Sequence, residues 1–175
     1  MTPPKLITPP TVPVVALADL RAHLRVDAAD EDALIVALET SAVAYLDGWT
    51  GVLGRAIRPQ VWRQTFDAGE CVRLAMPDVT ATAVTARDAA GDVVSVTTTL
   101  VADHRGPVVK VTGAYATLQV DYTCEMPPTL LPAAQVAVKL LVAHWFANRE
   151  AVGGQMAEVP LTVDALVTAL RWQGA

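Results

Sequence analysis

The chain has 175 residues, a net charge of −5 and a hydrophobic content of 53%. This length suffices for one well-buried core but not for two independent domains of ordinary size, so we expect one compact body with appendages. The 13 Lys and Arg residues are scattered, and the net charge is negative. These features argue against an outer surface that grips nucleic acid by neutralising phosphates, though not against one that DNA merely passes.

The apolar residues do not predict a membrane span. A transmembrane helix needs roughly 18 apolar residues in succession, and the longest candidate, 136–147, contains Lys139 and His144. The first residues include prolines where a signal peptide would carry a charged and then an apolar stretch. We therefore expect a protein without a membrane partner, made and kept in a cytosol-like compartment.

The N-terminal part predicts an extended arm followed by two helices. Residues 1–14 contain five prolines, which fix φ and remove N–H donors, so this arm is expected to be extended and could order on a neighbour. Helices are predicted at 17–26 and 31–48. The second helix places seven apolar side chains on one face: Leu34, Ile35, Leu38, Ala42, Tyr45, Leu46 and Trp49.

A β module is predicted at 59–126, where Val and Thr dominate and turn signals recur. Gly91 is expected to take a positive φ in a hairpin loop at 88–92. The predicted strands are 60–66, 71–75, 80–87, 93–98, 108–112 and 117–124.

Prolines after the module predict the start of a third helix, 132–150, which is apolar on nearly all sides. Such a helix lies at the centre of a core, or between a core and a neighbour. The predicted fold class is α+β, with a helical bundle formed by the N- and C-terminal helices and an inserted antiparallel β module. The main body of the protein is expected at 15–152.

The predicted C-terminal segment, 153–175, begins with a linker containing Gly153 and Gly154 and continues as an amphipathic helix. Its apolar residues recur at i, i+3, i+4 and i+7. Packing on the protein's own body and docking on another protein are equally compatible with this pattern. The face comprises Val163, Leu166, Val167 and Leu170, followed by Arg171 and Trp172.

The acidic residues and cysteines that could form a chemical site are more simply explained by structural roles. Four acidic residues near the second helix lack the pattern of a calcium loop and are expected to cap the helix. Cys71 and Cys124 lack a CxxC spacing and are expected to be free buried thiols. The acidic residues are Asp27, Asp30, Glu31 and Asp32.

The three histidines, His23, His104 and His144, lack a metal-ligand spacing, and no nucleophile or phosphate-loop motif occurs. His144 and Asn148 are expected to be a hydrogen-bonded pair along one helix. We therefore predict no enzyme, no catalytic residue, no cofactor and no metal. A small cytosolic enzyme or ligand-binding domain using His144 is the alternative from another class.

Arginines and tryptophans at the helix-to-sheet junction form the remaining candidate. Together they could bind nucleic acid by charge and stacking, but a solvated junction with ion pairs is favoured by the negative net charge. The residues are Arg55, Arg58, Arg63, Trp49 and Trp62.

Several segments, in order, resemble the head-tail connector (adaptor) proteins of long-tailed phages and phage-like gene transfer agents. The N-terminal matches are LADLRAHLRVD at 17–27, DEDALI at 30–35, YLDGWTG at 45–51 and PQVW at 59–62. The C-terminal matches are LVAHWFANREAVG at 141–153, EVPL at 158–161 and VDAL at 163–166. The strand-rich block between them is poorly matched in detail.

This resemblance implies a structural role. Similar adaptors form a ring, commonly dodecameric, below the portal in the particle neck, and assemble in the host cytoplasm. Their C-terminal segment docks on the portal, the other ring face meets a stopper or tail-side protein, and DNA runs through the lumen without sequence-specific binding. The resemblance thus implies that six residues of the C-terminal segment bind the portal: Val163, Leu166, Val167, Leu170, Arg171 and Trp172. A stopper or tail-terminator role in the same particle is the nearest alternative.

Overall fold

The computed structural model describes residues 1–148 and 161–173. The chain forms two compact units. The sheet unit comprises Met1–Thr11, Arg58–Met126 and the chain from Trp172, and the helical unit comprises Val12–Ile57 and Pro127–Arg171. The mixture of helices with antiparallel sheets confirms the predicted α+β class. The predicted Gly153–Gly154 linker lies outside the described residues.

The sheet unit contains two antiparallel sheets. The five-stranded sheet has the order β1-β2-β8-β4-β5, and the three-stranded sheet has the order β3-β7-β6. The strands are β1 (Lys5–Thr8), β2 (Gln60–Asp67), β3 (Cys71–Arg73), β4 (Val79–Arg87), β5 (Val93–Val94), β6 (Thr97–Asp103), β7 (Gly106–Thr112) and β8 (Thr117–Cys124).

Alternating burial along β2 and β8 builds the core of the five-stranded sheet. Phe66 is opposite Leu118 and Trp62 is opposite Tyr122, and all four side chains are buried. Inside this core, the Tyr122 hydroxyl donates to Gln64 Oε1 at 2.7 Å. Burial raises the pKa of Tyr122, because the charged phenolate would be poorly solvated there.

Two parts of the sheet unit differ from the sequence prediction. The N-terminal arm is extended as expected, but β1 pairs with β2 of its own chain. The predicted strand 93–98 is instead two strands, of which β6 extends to Asp103 and pairs with β7. The loop 88–92 has Gly91 at φ +94°, and Asp88 Oδ1 accepts hydrogen bonds from the N–H groups of Ala90 and Asp92.

The helical unit is arranged around its third helix. Its elements are α1 (Leu17–Leu24), a 3₁₀ turn (Ala29–Glu31), α2 (Asp32–Leu46), α3 (Leu131–Ala147) and α4 (Leu161–Leu170). The third helix packs against α1, α2 and α4, which confirms its central position. Pro132 lies in the first turn of α3, where a missing N–H costs nothing. None of the described helices is both long and apolar enough to cross a membrane.

The second helix is shorter than predicted, and its buried face is narrower. Ile35, Ala42 and Leu46 are buried, but Tyr45 is 46% exposed and Trp49 lies beyond the helix at 42% exposure. The helix ends at Leu46, so the later residues do not continue its apolar stripe. The buried stripe instead includes Glu39, which an apolar-periodicity argument passes over.

Candidate functional site

The C-terminal segment, the candidate from sequence, packs in its own subunit. Val163, Val167 and Leu170 are buried, and α4 lies against α3. Leu166 is half-buried, and Arg171 is exposed. In the isolated subunit the apolar face of α4 therefore has an intramolecular partner, so the pattern alone gives no reason for docking elsewhere.

Trp172 follows the helix and belongs to the sheet unit. Its indole lies beside Gly106, where an added Cβ would be 3.0 Å from Trp172 Cζ2. Gly106 has φ +111°, a conformation that favours glycine. Because Gly106 has no side chain, the Trp172 indole can pack directly against its backbone. Sequence analysis did not single out Gly106, because the contact joins residues far apart in the chain.

A groove of about 430 Å³ opens beside Trp172. One wall is formed by β6 residues, including Leu100 and Asp103, and another by the segment before β4. Arg73 donates to both carboxylate oxygens of Asp103 at 2.7 Å and to the Gly106 carbonyl at 3.4 Å. The hydrogen bonds from Arg73 and from the Arg105 backbone N–H hold the pKa of Asp103 well below its usual range. The pair fixes the end of β6.

The acidic residues near α2 do not cap it as predicted. The N-cap residue Glu31 makes no side-chain capping hydrogen bond. Asp32 forms an ion pair with Arg21 instead. This partner lies on α1, eleven residues earlier, so the carboxylate joins two helices rather than satisfying the free N–H groups of its own. Among residues 1–148 and 161–173, no group of His, Cys, Asp and Glu is arranged to hold a metal ion.

The predicted hydrogen bond between His144 and Asn148 is made by the His144 backbone and not by its side chain. Asn148 Nδ2 donates to the His144 backbone carbonyl at 2.8 Å, so the imidazole is not the partner. Both cysteines are free, but only Cys124 is buried, whereas Cys71 is exposed. Burial raises the pKa of the Cys124 thiol to about 12, because the interior disfavours the thiolate.

Of the arginine and tryptophan candidates, three are buried or ion-paired, whereas Trp49 is exposed. Arg63 forms two hydrogen bonds of 2.7 Å with Asp121, in agreement with the ion-pair interpretation. Trp62 is 7% exposed and its Nε1 donates to Gln60 Oε1 at 3.1 Å, so its ring offers no open face for base stacking. Arg55 is also buried.

Comparison with known proteins finds similarity at the level of structure. No known protein-family model matches the sequence, and no curated protein sequence matches it. One similar structure is a chain of the "Neck of empty GTA particle computed with C6 symmetry", at 24% identity and a TM-score of 0.71, covering 97% of this chain and 95% of that one. Such a likeness shows a common fold.

Two further structures have the same fold. A chain from the "Virion of native gene transfer agent (GTA) particle" has 23% identity and a TM-score of 0.68, with 96% of this chain and 94% of that one covered. A chain from the "Neck of native GTA particle computed with C12 symmetry" has 23% identity and a TM-score of 0.59, with coverages of 95% and 94%. The chain therefore shares its fold, over nearly its whole length, with chains of gene transfer agent particles.

Proposed function

We propose that this protein is a structural subunit of the neck of a gene transfer agent or phage particle, and within the neck the head-tail adaptor. The supporting observation is the common fold over 97% of this chain with a chain from a gene transfer agent neck. The agreement extends over nearly the whole chain, so it does not rest on one small motif.

The proposed assembly is a ring below the portal, with the dodecameric symmetry that is usual for adaptors. Neck structures with C6 and C12 symmetry contain chains of this fold, which supports a cyclic arrangement. One ring face would meet the portal and the other a stopper or tail-side protein. DNA would pass through the lumen, and the net charge of −5 suits a passage that does not bind phosphates.

The portal contact is proposed for the C-terminal segment. Arg171 is exposed and Trp172 half-buried, so both can contact a partner without rearrangement. Val163, Val167 and Leu170 are buried in the subunit. They can join Leu166 in the contact only if α4 leaves α3, and the portal must then bury an equivalent apolar area to offset the loss.

The role is tested in particles. Electron microscopy of particles carrying a tagged copy of this chain should place it as a ring at the vertex where the tail joins. Cells lacking the protein should accumulate DNA-filled heads without tails. Normally tailed particles in its absence would contradict the proposal.

The portal contact is tested with point variants. R171E and W172A should lower the fraction of heads that carry tails, while T168A, at an exposed position on the same helix, should not. Circular dichroism of each purified variant checks that it is folded. A photo-cross-linker at Gln173 distinguishes an adaptor, which should label the portal, from a stopper or tail terminator, which should label only tail-side proteins.

A further inference from the structure

The sheet unit has four edge strands, which differ in how many residues they can offer to a further strand. β5 has only two residues and β3 only three. β1 has four residues between Pro4 and Pro9, with a register shift against β2. Two- and three-residue edges are too short to hold a further strand, and the prolines that flank β1 limit its pairing to its four residues.

β6 lacks these limits. It has seven residues, TTTLVAD, with no proline, glycine or lysine. Its inner edge pairs with β7, and among the described residues no strand pairs with its outer edge. A long open edge presents a row of N–H and C=O groups to a further extended segment. The three-stranded sheet therefore has one edge suited to adding a strand.

The second half of β6 also offers side-chain recognition. Leu100–Asp103 line the groove of about 430 Å³ beside Trp172. Asp103 is held at the rim by Arg73. A carboxylate has about four lone-pair positions, so Asp103 can accept from a further cation. The groove thus combines an apolar wall with a carboxylate at one end that already binds Arg73 and has lone pairs left for a second donor.

The N-terminal arm has the complementary character. The structure describes four exposed large apolar side chains in the sheet unit, and three of them, Met1, Leu6 and Ile7, belong to this arm. Lys5 opens β1, and Pro4 and Pro9 limit the strand to four residues. Those four residues match the length of the β6 stretch that lines the groove.

We propose that the outer edge of β6 binds β1 of a second copy of this chain. The strands run antiparallel, with Lys5 opposite Asp103 and Ile7 opposite Val101. In this register an opposite-charge pair and an apolar pair face each other across the strands. β1 stays on its own β2 and uses its outer edge, so each subunit has two different contact surfaces. Such a head-to-tail contact closes into a ring when the rotation permits.

This contact would join neighbouring subunits of the ring proposed above. It rests on that proposed function only for its biological setting. The test uses the full-length protein in solution, with the exposed Cys71 changed to Ser. A K5C protein is mixed with a D103C protein under mild oxidation. Directly opposed residues lie about 4.5–5.5 Å apart between Cα atoms, within disulfide range. We expect disulfide-linked dimers from the mixture and a ladder of higher multimers from the K5C/D103C double variant.

The matched control is T97C, at the other end of the same strand and about 20 Å from Asp103 at the usual rise per residue. It should not cross-link to K5C. Absence of the K5C–D103C disulfide at the highest soluble concentration, or equal cross-linking with T97C, would overturn the proposal.

A second test changes the charge of Lys5 and measures self-association of the protein by sedimentation. K5E should weaken association roughly two- to fivefold, as expected for one cross-strand charge pair, whereas K5R, which keeps the positive charge, should not. Equal association of K5E and the unchanged protein would overturn this register. If the cross-links form but microscopy does not find the protein in a neck, the proposed function is overturned and the contact is not. A neck ring without these cross-links would overturn this contact alone.

Discussion

Glu39 Oε1 accepts hydrogen bonds from the backbone N–H groups of Val14 and Val15, at 3.1 and 3.4 Å. Glu39 is 9% exposed and lies on the buried face of α2. The Val14 carbonyl in turn accepts from Gln135 Nε2 on α3 at 3.0 Å. Side chains from two helices thus hold the segment that enters α1, whose N-cap residue Ala16 has no side-chain cap of its own.

Removing the Glu39 carboxylate should destabilise the protein. E39A leaves two buried N–H groups without this acceptor, and we expect the free energy of unfolding to fall by about 1–3 kcal/mol. E39Q keeps a side-chain oxygen and should lose less. Urea denaturation followed by circular dichroism measures both. T40A, at the exposed neighbouring position, is the control and should change stability by less than about 0.5 kcal/mol. Equal stability of E39A and T40A would contradict the bracing role.

Gly106 should tolerate alanine less well than Gly91 does. Both have positive φ, +111° and +94°, so alanine strains the backbone at each. A Cβ at Gly91 meets nothing within 4 Å, whereas one at Gly106 meets the Trp172 indole at 3.0 Å. G106A should therefore lower the thermal midpoint further than G91A.

The W172A background isolates the contact with the indole. There the difference between G106A and G91A should largely disappear, because only the backbone strain common to both remains. A difference that persists unchanged would show that Trp172 is not its cause.

Thiol reactivity should distinguish the two cysteines. Cys71 is exposed, and Cys124 is buried with its pKa raised to about 12, so at pH near 8 Cys124 is protonated and shielded. A thiol reagent such as DTNB should titrate one thiol per native chain and two in denaturant. C71S should abolish the fast reaction, and C124S should leave it unchanged. A native C71S protein that reacts quickly would contradict the buried position of Cys124.

The Arg73–Asp103 pair should contribute to stability above the unfolded pKa of Asp103. Hydrogen bonds from Arg73 lower the folded-state pKa of this carboxyl below the ordinary value of about 3.9. The contribution is therefore fully present at neutral pH and is lost as the pH falls below about 4, through the folded pKa. Its size is small, because both side chains are partly exposed to solvent.

Stability measured against pH in urea tests this pair. R73Q and D103N should each reduce the loss of stability on the acid side, and the double variant should behave like either single variant. Additive effects in the double variant would show that the two residues do not act as a pair.

Hydrophobic periodicity predicted those helices and strands whose apolar pattern is complete within a short stretch of sequence. The all-round apolar surface of α3 correctly indicated a core element. Periodicity failed at Trp49, which lies beyond the end of α2 at Leu46, and at Tyr45, which lies within the helix but is exposed. It also passed over Glu39, whose role depends on main-chain donors 24 and 25 residues earlier.

The sequence by itself determined the α+β class, the positions of the main helices and strands, and the apolar face of α4, because these depend on local propensity and spacing. The tertiary structure decided what those elements contact. It placed β1 on β2, β6 at an open edge and α4 against α3. It also brought Trp172 to Gly106. These pairings join residues distant in the chain, and they depend on which surfaces bury apolar area together once the whole chain has folded.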